Sequence, residues 1–239
     1  MGSESLGGKK MRKMAFILTL AVFASAGLFA HCTSEASLIL VTDRAALVGD
    51  DYVDWEALGP PTYSPPVSSP FTITSASGGV ALEGSNPSGD FVRLDQGTGW
   101  NGNFAPGDAL LFTNFTGGPM IFDFSGPVAG AGTQVQQSYY GEFVATVSVF
   151  DVADTLLGSF SLAGLSDSAG DNSAIFLGVL SDALDIGRIE YAVSPQDVNN
   201  MGFTINRMDL VTQVPEPSSL LLLSLGLAGA GMLGRKFRK

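Results

Sequence analysis

Carboxylates are plentiful among the groups in this chain that could do chemistry, with 23 Asp and Glu among 239 residues. Glycosidic hydrolysis needs two of them facing each other across a cleft at roughly 5–10 Å. Glu142, Glu190 and Asp123 fall in stretches that read as strands. Asp151, Asp154, Asp167 and Asp171 fall in or near turns, where Asp usually accepts from its own backbone. Calcium is the other chemistry open to such residues, because a hard cation takes several oxygens from Asp, Asn and loop carbonyls. The densest oxygen clusters are Asp50-Asp51 and the run from Asp167 to Asn172, so Asp167, Asp171 and Asn172 are the candidate ligands of a structural calcium. Neither cluster has the spacing of an EF-hand. Sugar binding would instead use exposed aromatic faces beside amides: Trp55, Trp100 with Asn101 and Asn103, and the pair Tyr139-Tyr140. Of these, Trp100, Tyr139 and Tyr140 are the expected glycan contacts, and core packing is the competing use of the tryptophans. Adjacent tyrosines in a strand would point to opposite faces.

Several classes are excluded by what is missing. One Cys, Cys32, allows neither a disulfide framework nor a cysteine-based zinc site. One His, His31, rules out the HExxH metalloproteases and lies too near the N-terminus for a Ser–His–Asp triad. Eight of the 12 cations flank two apolar runs: Lys9, Lys10, Arg12 and Lys13 near the start, and Arg235, Lys236, Arg238 and Lys239 at the end. Between them, from 37 to 214, stand four Arg and no Lys against 20 acidic residues, a net charge of −16. A phosphate-binding surface needs a basic patch, so nucleic acid is not an expected partner. The body reads as non-catalytic, with a secreted glycan-active enzyme using paired carboxylates as the alternative.

The two ends read as addressing segments. Residues 1–36 hold a basic block followed by the apolar run Ala15–Phe23 and small residues at Ala24-Ser25-Ala26, the pattern of a signal peptide cut by signal peptidase. That run is too short to cross a ~30 Å hydrocarbon core. Extended through Ala30, it would become an uncleaved anchor. Cys32 does not follow a small residue, as a lipidation site would require. Residues 214–239 begin with Val214-Pro215-Glu216-Pro217, continue as the apolar run Ser218–Gly234 and close on the basic tail. The prolines fix where a helix can start. Seventeen residues at 1.5 Å each reach roughly 25 Å, and snorkelling cations extend that span. The tail places its end in the cytoplasm and the acidic body outside.

This order of Pro215-Glu216-Pro217, single transmembrane helix and Arg-rich end resembles the PEP-CTERM sorting signal of Gram-negative bacteria. The resemblance implies recognition by exosortase, a membrane-embedded cysteine protease, and cleavage near Pro217. The protein would be held transiently in the inner membrane, then released or transferred to the cell surface. It also implies an exopolysaccharide-rich or biofilm setting.

The body, residues 37–213, reads as one domain. Phe143, Ala145, Val147 and Val149 alternate along Glu142–Phe150, a turn follows at Asp151–Asp154, and Thr155–Leu162 returns. About ten further short strands are expected. Phe203–Val211 carries a slip of phase that suggests a bulge at Asn206-Arg207. Gly59–Pro66 reads as an extended loop, and Trp55–Leu58 as the one short helix. The pattern predicts an all-β, antiparallel, jelly-roll-like β-sandwich. Val53-Asp54-Trp55, Gly99–Phe104 and Phe122–Val128 look like elements of uncharacterised PEP-CTERM ectodomains, whose sandwich is similar to carbohydrate-binding modules.

Overall fold

The computed structural model describes residues 37–194 and 202–214. The signal region 1–36, the Pro215-Glu216-Pro217 motif, the apolar span and the basic tail lie outside the described residues. Among the described residues, no helix is long and apolar enough to cross a membrane.

Two sheets make up the body, with almost no helix. The smaller has six strands in the order β12 (Leu156–Ser166), β11 (Gly141–Asp151), β14 (Ile186–Ser194), β9 (Met120–Val128), β5 (Ala81–Ser85) and β4 (Phe71–Thr74). The larger has ten. Its main path runs β1 (Leu38–Val41), β13 (Ile175–Ser181), β10 (Gly130–Gln137), β15 (Phe203–Ile205), β8 (Ala109–Phe112), β6 (Phe91–Gln96) and β3 (Thr62–Val67). Branching from it, β16 (Met208–Val211) pairs with β10 and with β2 (Asp51–Val53), and β7 (Gly99–Trp100) pairs with β6. Every pairing is antiparallel except the short one between β6 and β7.

Alternation decides which side of each strand is dry. Phe143, Ala145, Val147 and Val149 of β11 are buried, as their period-2 spacing requires, and Ile189, Tyr191 and Val193 of β14 follow the same rule. They share one apolar cluster with Ala131 and Val135 of β10, Leu177 and Val179 of β13, and Leu111 of β8, all from the larger sheet. Those inner faces packed together make the structure a β-sandwich. Trp55 sits inside it with no exposure, so it is a core residue and no glycan contact. Its ring stacks 5.7 Å from Phe122 of β9, and its Nε1 donates to the Asn206 carbonyl at 2.7 Å. One side chain therefore ties the two sheets.

The sequence pattern misreads four places. The Pro-rich Gly59–Pro66 stretch is not a free loop: Thr62–Val67 runs as the edge strand β3, where a missing N–H on the solvent side costs no ladder bond. The expected strand Phe203–Val211 is two strands, because Asn206 and Arg207 leave the ladder between β15 and β16. Tyr139-Tyr140 does not lie in a strand; it forms the turn between β10 and β11, and both rings are exposed. A short helix, α1 (Arg44–Leu47), precedes β2, capped by the Asp43 side chain accepting from Ala45 N–H at 3.0 Å. The expected short helix Trp55–Leu58 is present as a 3-10 helix, capped by Asp54.

Asp51 of β2 shows how a buried carboxylate is held. Burial alone would push its carboxyl up, but hydrogen bonds from Ser75, Ser77 and the Tyr52 N–H outweigh burial and keep it below the ordinary aspartate range. The unfolded chain then binds this proton more readily than the folded one, so the stability Asp51 contributes at neutral pH is lost as pH falls below about 4. Urea unfolding from pH 6 downward should show stability dropping in that range, with a shallower drop in Asp51→Asn. Parallel slopes for the two proteins would contradict the assignment.

Candidate functional site

The outer face of the larger sheet is not bare. On β10, Val135 points to the core while Gln134 and Gln136 point outward, yet both amides are buried. Loops 97–108 and 167–174 lie over them and are held by hydrogen bonds from these side chains. Gln136 Oε1 accepts from the Asn103 N–H at 2.8 Å, and its Nε2 donates to Asn103 Oδ1, Ser166 Oγ and the Asp167 carbonyl. Gln96 grips the Gly102 backbone on both sides, accepting from its N–H and donating to its carbonyl. Under these loops Val92, Leu94, Phe104, Leu110, Phe112 and Ala174 form a second small core.

Gln134 does the same work further along. It donates to the Ala174 carbonyl and to Asn172 Oδ1, and accepts from Asn206 Nδ2 at 2.6 Å. Asn206 in turn donates to Asp108, accepts from Arg44 at 2.8 Å, and offers its carbonyl to Trp55 and Thr133. A strand broken at Asn206 is what lets one residue serve five partners. Beside this hub lies a polar groove of about 630 Å³ lined by Arg44, Asp54, Asp108, Gln134, Asn172 and Arg207, among others. Arg44 stacks over Phe176 at 5.2 Å and pairs with Asp209; burial pushes its guanidinium down from its ordinary value, and Asp209 pulls it partly back. Arg207 lies over the Tyr52 ring, and its buried Nε has no hydrogen-bond partner.

Aromatic rings surround the far side of loop 97–108. Trp100 is half-buried, its ring 5.2 Å from Phe112, and its Nε1 donates to Gln136 at 3.3 Å. Tyr63 of β3 and Tyr140 flank it: their hydroxyls donate to the carbonyls of Gly99 and Asn101, at 3.0 and 2.7 Å. Tyr139 and Phe115 stay exposed at 57% and 58%, Phe115 with an unfavourable positive φ of 63° while meeting Phe112 edge-on. The three expected glycan contacts lie around this loop, with Trp100 half-buried and both Tyr139 and Tyr140 exposed. Tyr63 and Phe115 were missed, the first because a Pro-rich stretch looked like loop.

The carboxylates are engaged elsewhere. Asp167 Oδ1 accepts from Asn103 and from Ala169 N–H, Asp171 caps Ser173, and Asn172 faces Gln134. These three expected calcium ligands take part in the hydrogen bonds of the covering loop. Asp50 binds Thr212 while Asp51 binds Ser77. Among the described residues, no group of three or more His, Cys, Asp or Glu is placed to hold a metal ion. On the outer face of the smaller sheet, Asp123, Asp154 and Glu190 meet at Arg188, at 2.7, 2.6 and 3.8 Å. Glu142 is the second residue of β11, and Asp151 caps the turn to β12, accepting from the N–H groups of Ala153 and Thr155.

A Cβ on Gly102 would come within 2.1 Å of Gln136 Oε1 and 2.4 Å of Trp100 Nε1. Both atoms are held by hydrogen bonds, so neither can retreat cheaply. Gly102→Ala should cost about 1–3 kcal/mol in urea unfolding, while Gly126→Ala, whose Cβ meets nothing within 4 Å, should cost close to none. Equal stability of the two variants would refute this picture of the loop.

No curated protein matches the chain by sequence. Among solved structures, a DUF4465 family protein from Bacteroides caccae aligns with 12% identity and a TM-score of 0.37, over 74% of this chain and all of that one. The module CsCBM6-3 from Clostridium stercorarium, solved with cellobiose, aligns with 10% identity and a TM-score of 0.29, over 54% of this chain and 86% of that one. At the C-terminal end, residues 213–239 match the family model of the PEP-CTERM protein-sorting motif, and the chain carries that sorting signal.

Proposed function

We propose that this is an exported, non-catalytic protein of the cell surface or extracellular matrix, processed by exosortase and associated with exopolysaccharide. The observation that carries the reading is the sorting motif at 213–239. Signal peptidase removes the N-terminal segment, the span following Pro217 holds the protein in the inner membrane, and exosortase then cuts near Pro217. The jelly-roll-like body, at −16, is left outside. There the Trp100 platform contacts polysaccharide. Sugar rings present C–H faces to aromatic rings and hydroxyls to amides, and Tyr140 holds the Asn101 backbone beside Trp100 on this surface. The body's net charge of −16 fits a neutral or cation-bridged glycan better than a strongly anionic one.

A secreted glycan-active enzyme is the second reading, favoured by one observation. Burial pushes the Glu190 carboxyl up, Arg188 draws it back, and Asp154 with Asp123 push it up again, leaving it above its ordinary value. That is the direction a general acid requires. Against it, Arg188 occupies the space between the carboxylates, where an attacking water or sugar would have to stand.

Fractionation of strains with and without exosortase tests the sorting step. The processed protein should be smaller and located beyond the inner membrane only where exosortase is present; the same mass and location in both strains would reject it. Pull-down on the host's exopolysaccharide tests the surface. Trp100→Ala and Tyr140→Ala should each weaken retention about tenfold, equivalent to roughly 1.4 kcal/mol. Retention equal to the parent protein would remove the platform from the account, and turnover of the polysaccharide that stops in Glu190→Gln would favour the enzyme.

A further inference from the structure

Sheet edges are hazards, because each offers a row of unpaired N–H and C=O groups to any passing strand. Most edges here are short or blunted. The strands β1, β2, β4 and β7 run 4, 3, 4 and 2 residues, and β3 carries Pro65 and Pro66. The edge strand β12 has neither protection. It is 11 residues long, pairs on one side only with β11, and reads Leu-Leu-Gly-Ser-Phe-Ser-Leu-Ala-Gly-Leu-Ser, with no charge and no proline. No charge stands between Asp154 and Asp167, so the whole of this edge is neutral. Leu156 and Leu165 are 56% and 58% exposed.

The order of residues along β12 says what covers it. Around Ser161 the strand is nearly palindromic in size: Phe160 and Leu162, Ser159 and Ala163, Gly158 and Gly164, Leu157 and Leu165. We infer that β12 pairs antiparallel with β12 of a second copy about a twofold axis through Ser161, joining two six-stranded sheets into one of twelve. Facing residues in an antiparallel pair share a face. Leu157 then meets the partner's Leu165 on the outward side, and Phe160 meets the partner's Leu162 on the core side. Both latter residues already pack against the core from the rim. Beside Leu165, a shallow apolar hollow of about 820 Å³ is lined by Val144, Ala163, Gly164 and Ile175. The facing leucine of the second copy enters it. Such an interface is isologous and closes at two copies.

Charge gives the pairing a signature. Two bodies at −16 repel, and the register brings Asp154 near the partner's Asp167 at each end of the ladder. Salt screens that repulsion without weakening backbone hydrogen bonds or apolar contacts. Association therefore strengthens as ionic strength rises, opposite to an interface built on ion pairs.

The test uses the full chain in detergent with Cys32→Ser as background. Ser161→Cys should oxidise to a covalent dimer, because facing Cα atoms 4.5–5.5 Å apart suit a disulfide. Leu157→Cys alone should not, while an equal mixture of Leu157→Cys and Leu165→Cys chains should. In sedimentation, the unsubstituted chain should shift toward dimer as salt increases, and Ser161→Lys, an exposed and tolerant position, should raise the dissociation constant at least tenfold. No cross-link at 161, a dimer that Ser161→Lys leaves unchanged, or association that weakens with salt would each overturn the proposal. None of these readouts depends on exosortase or polysaccharide.

Discussion

A small set of buried amides holds this molecule's outer architecture. Gln96, Gln134, Gln136, Asn103 and Asn206 are all nearly inaccessible, and each is satisfied by backbone or by another amide. An amide carries both donors and an acceptor, so it can clamp a loop that has no ladder of its own. Leaving such a group unpaired costs about 1–3 kcal/mol, so the arrangement stands or falls together. Without it, loops 97–108 and 167–174 would have only the small core of Phe104 and Phe112 beneath them. The aromatic platform and the polar groove are both shaped by these loops.

The two faces of the sandwich differ for that reason. The larger sheet is covered on both sides, by the central core and by clamped loops, and β10 is buried along its whole length. Such a strand must be small where another backbone approaches: at Gly132 a Cβ would come within 2.6 Å of the Phe176 ring. The smaller sheet shows water a field of Ser and Thr, such as the facing pairs Thr146–Ser161 and Ser148–Ser159, around the Arg188 cluster. One sheet presents shape and aromatic surface; the other presents a flat polar face and an unguarded edge.

Period-2 alternation made β11, β12 and β14 legible, because each has one dry face and residues that alternate to match. The slip at Asn206-Arg207 was visible too, though not its purpose. Its purpose lies in partners 72 and 98 residues away, Gln134 and Asp108, and no local pattern carries that information. The same holds for Gln136, which reads as an ordinary polar strand residue until loop 97–108 is laid over it. β3 was hidden by its own prolines, and Tyr63 with it. Trp100 and the tyrosine pair were legible as aromatic residues near amides, whereas the Asp167–Asn172 run fits a cation loop and a set of turn caps alike, and its hydrogen bonds to Asn103 and Gln134 depend on distant residues. The sorting motif was plain because it is linear: its chemistry depends on order along the chain and needs no tertiary partner.

Residue-resolved hydrogen exchange tests the amide clamp most directly. The backbone N–H groups of Gly102, Asn103, Asp167 and Gly170 lie in loops, yet each donates to Gln96, Gln136, Asn103 or the Gly102 carbonyl. The clamp predicts that these four exchange as slowly as the strands of the larger sheet and lose that protection together in Gln136→Ala. Exchange at the rate of the exposed turn Asp151–Asp154 in the parent protein would contradict it.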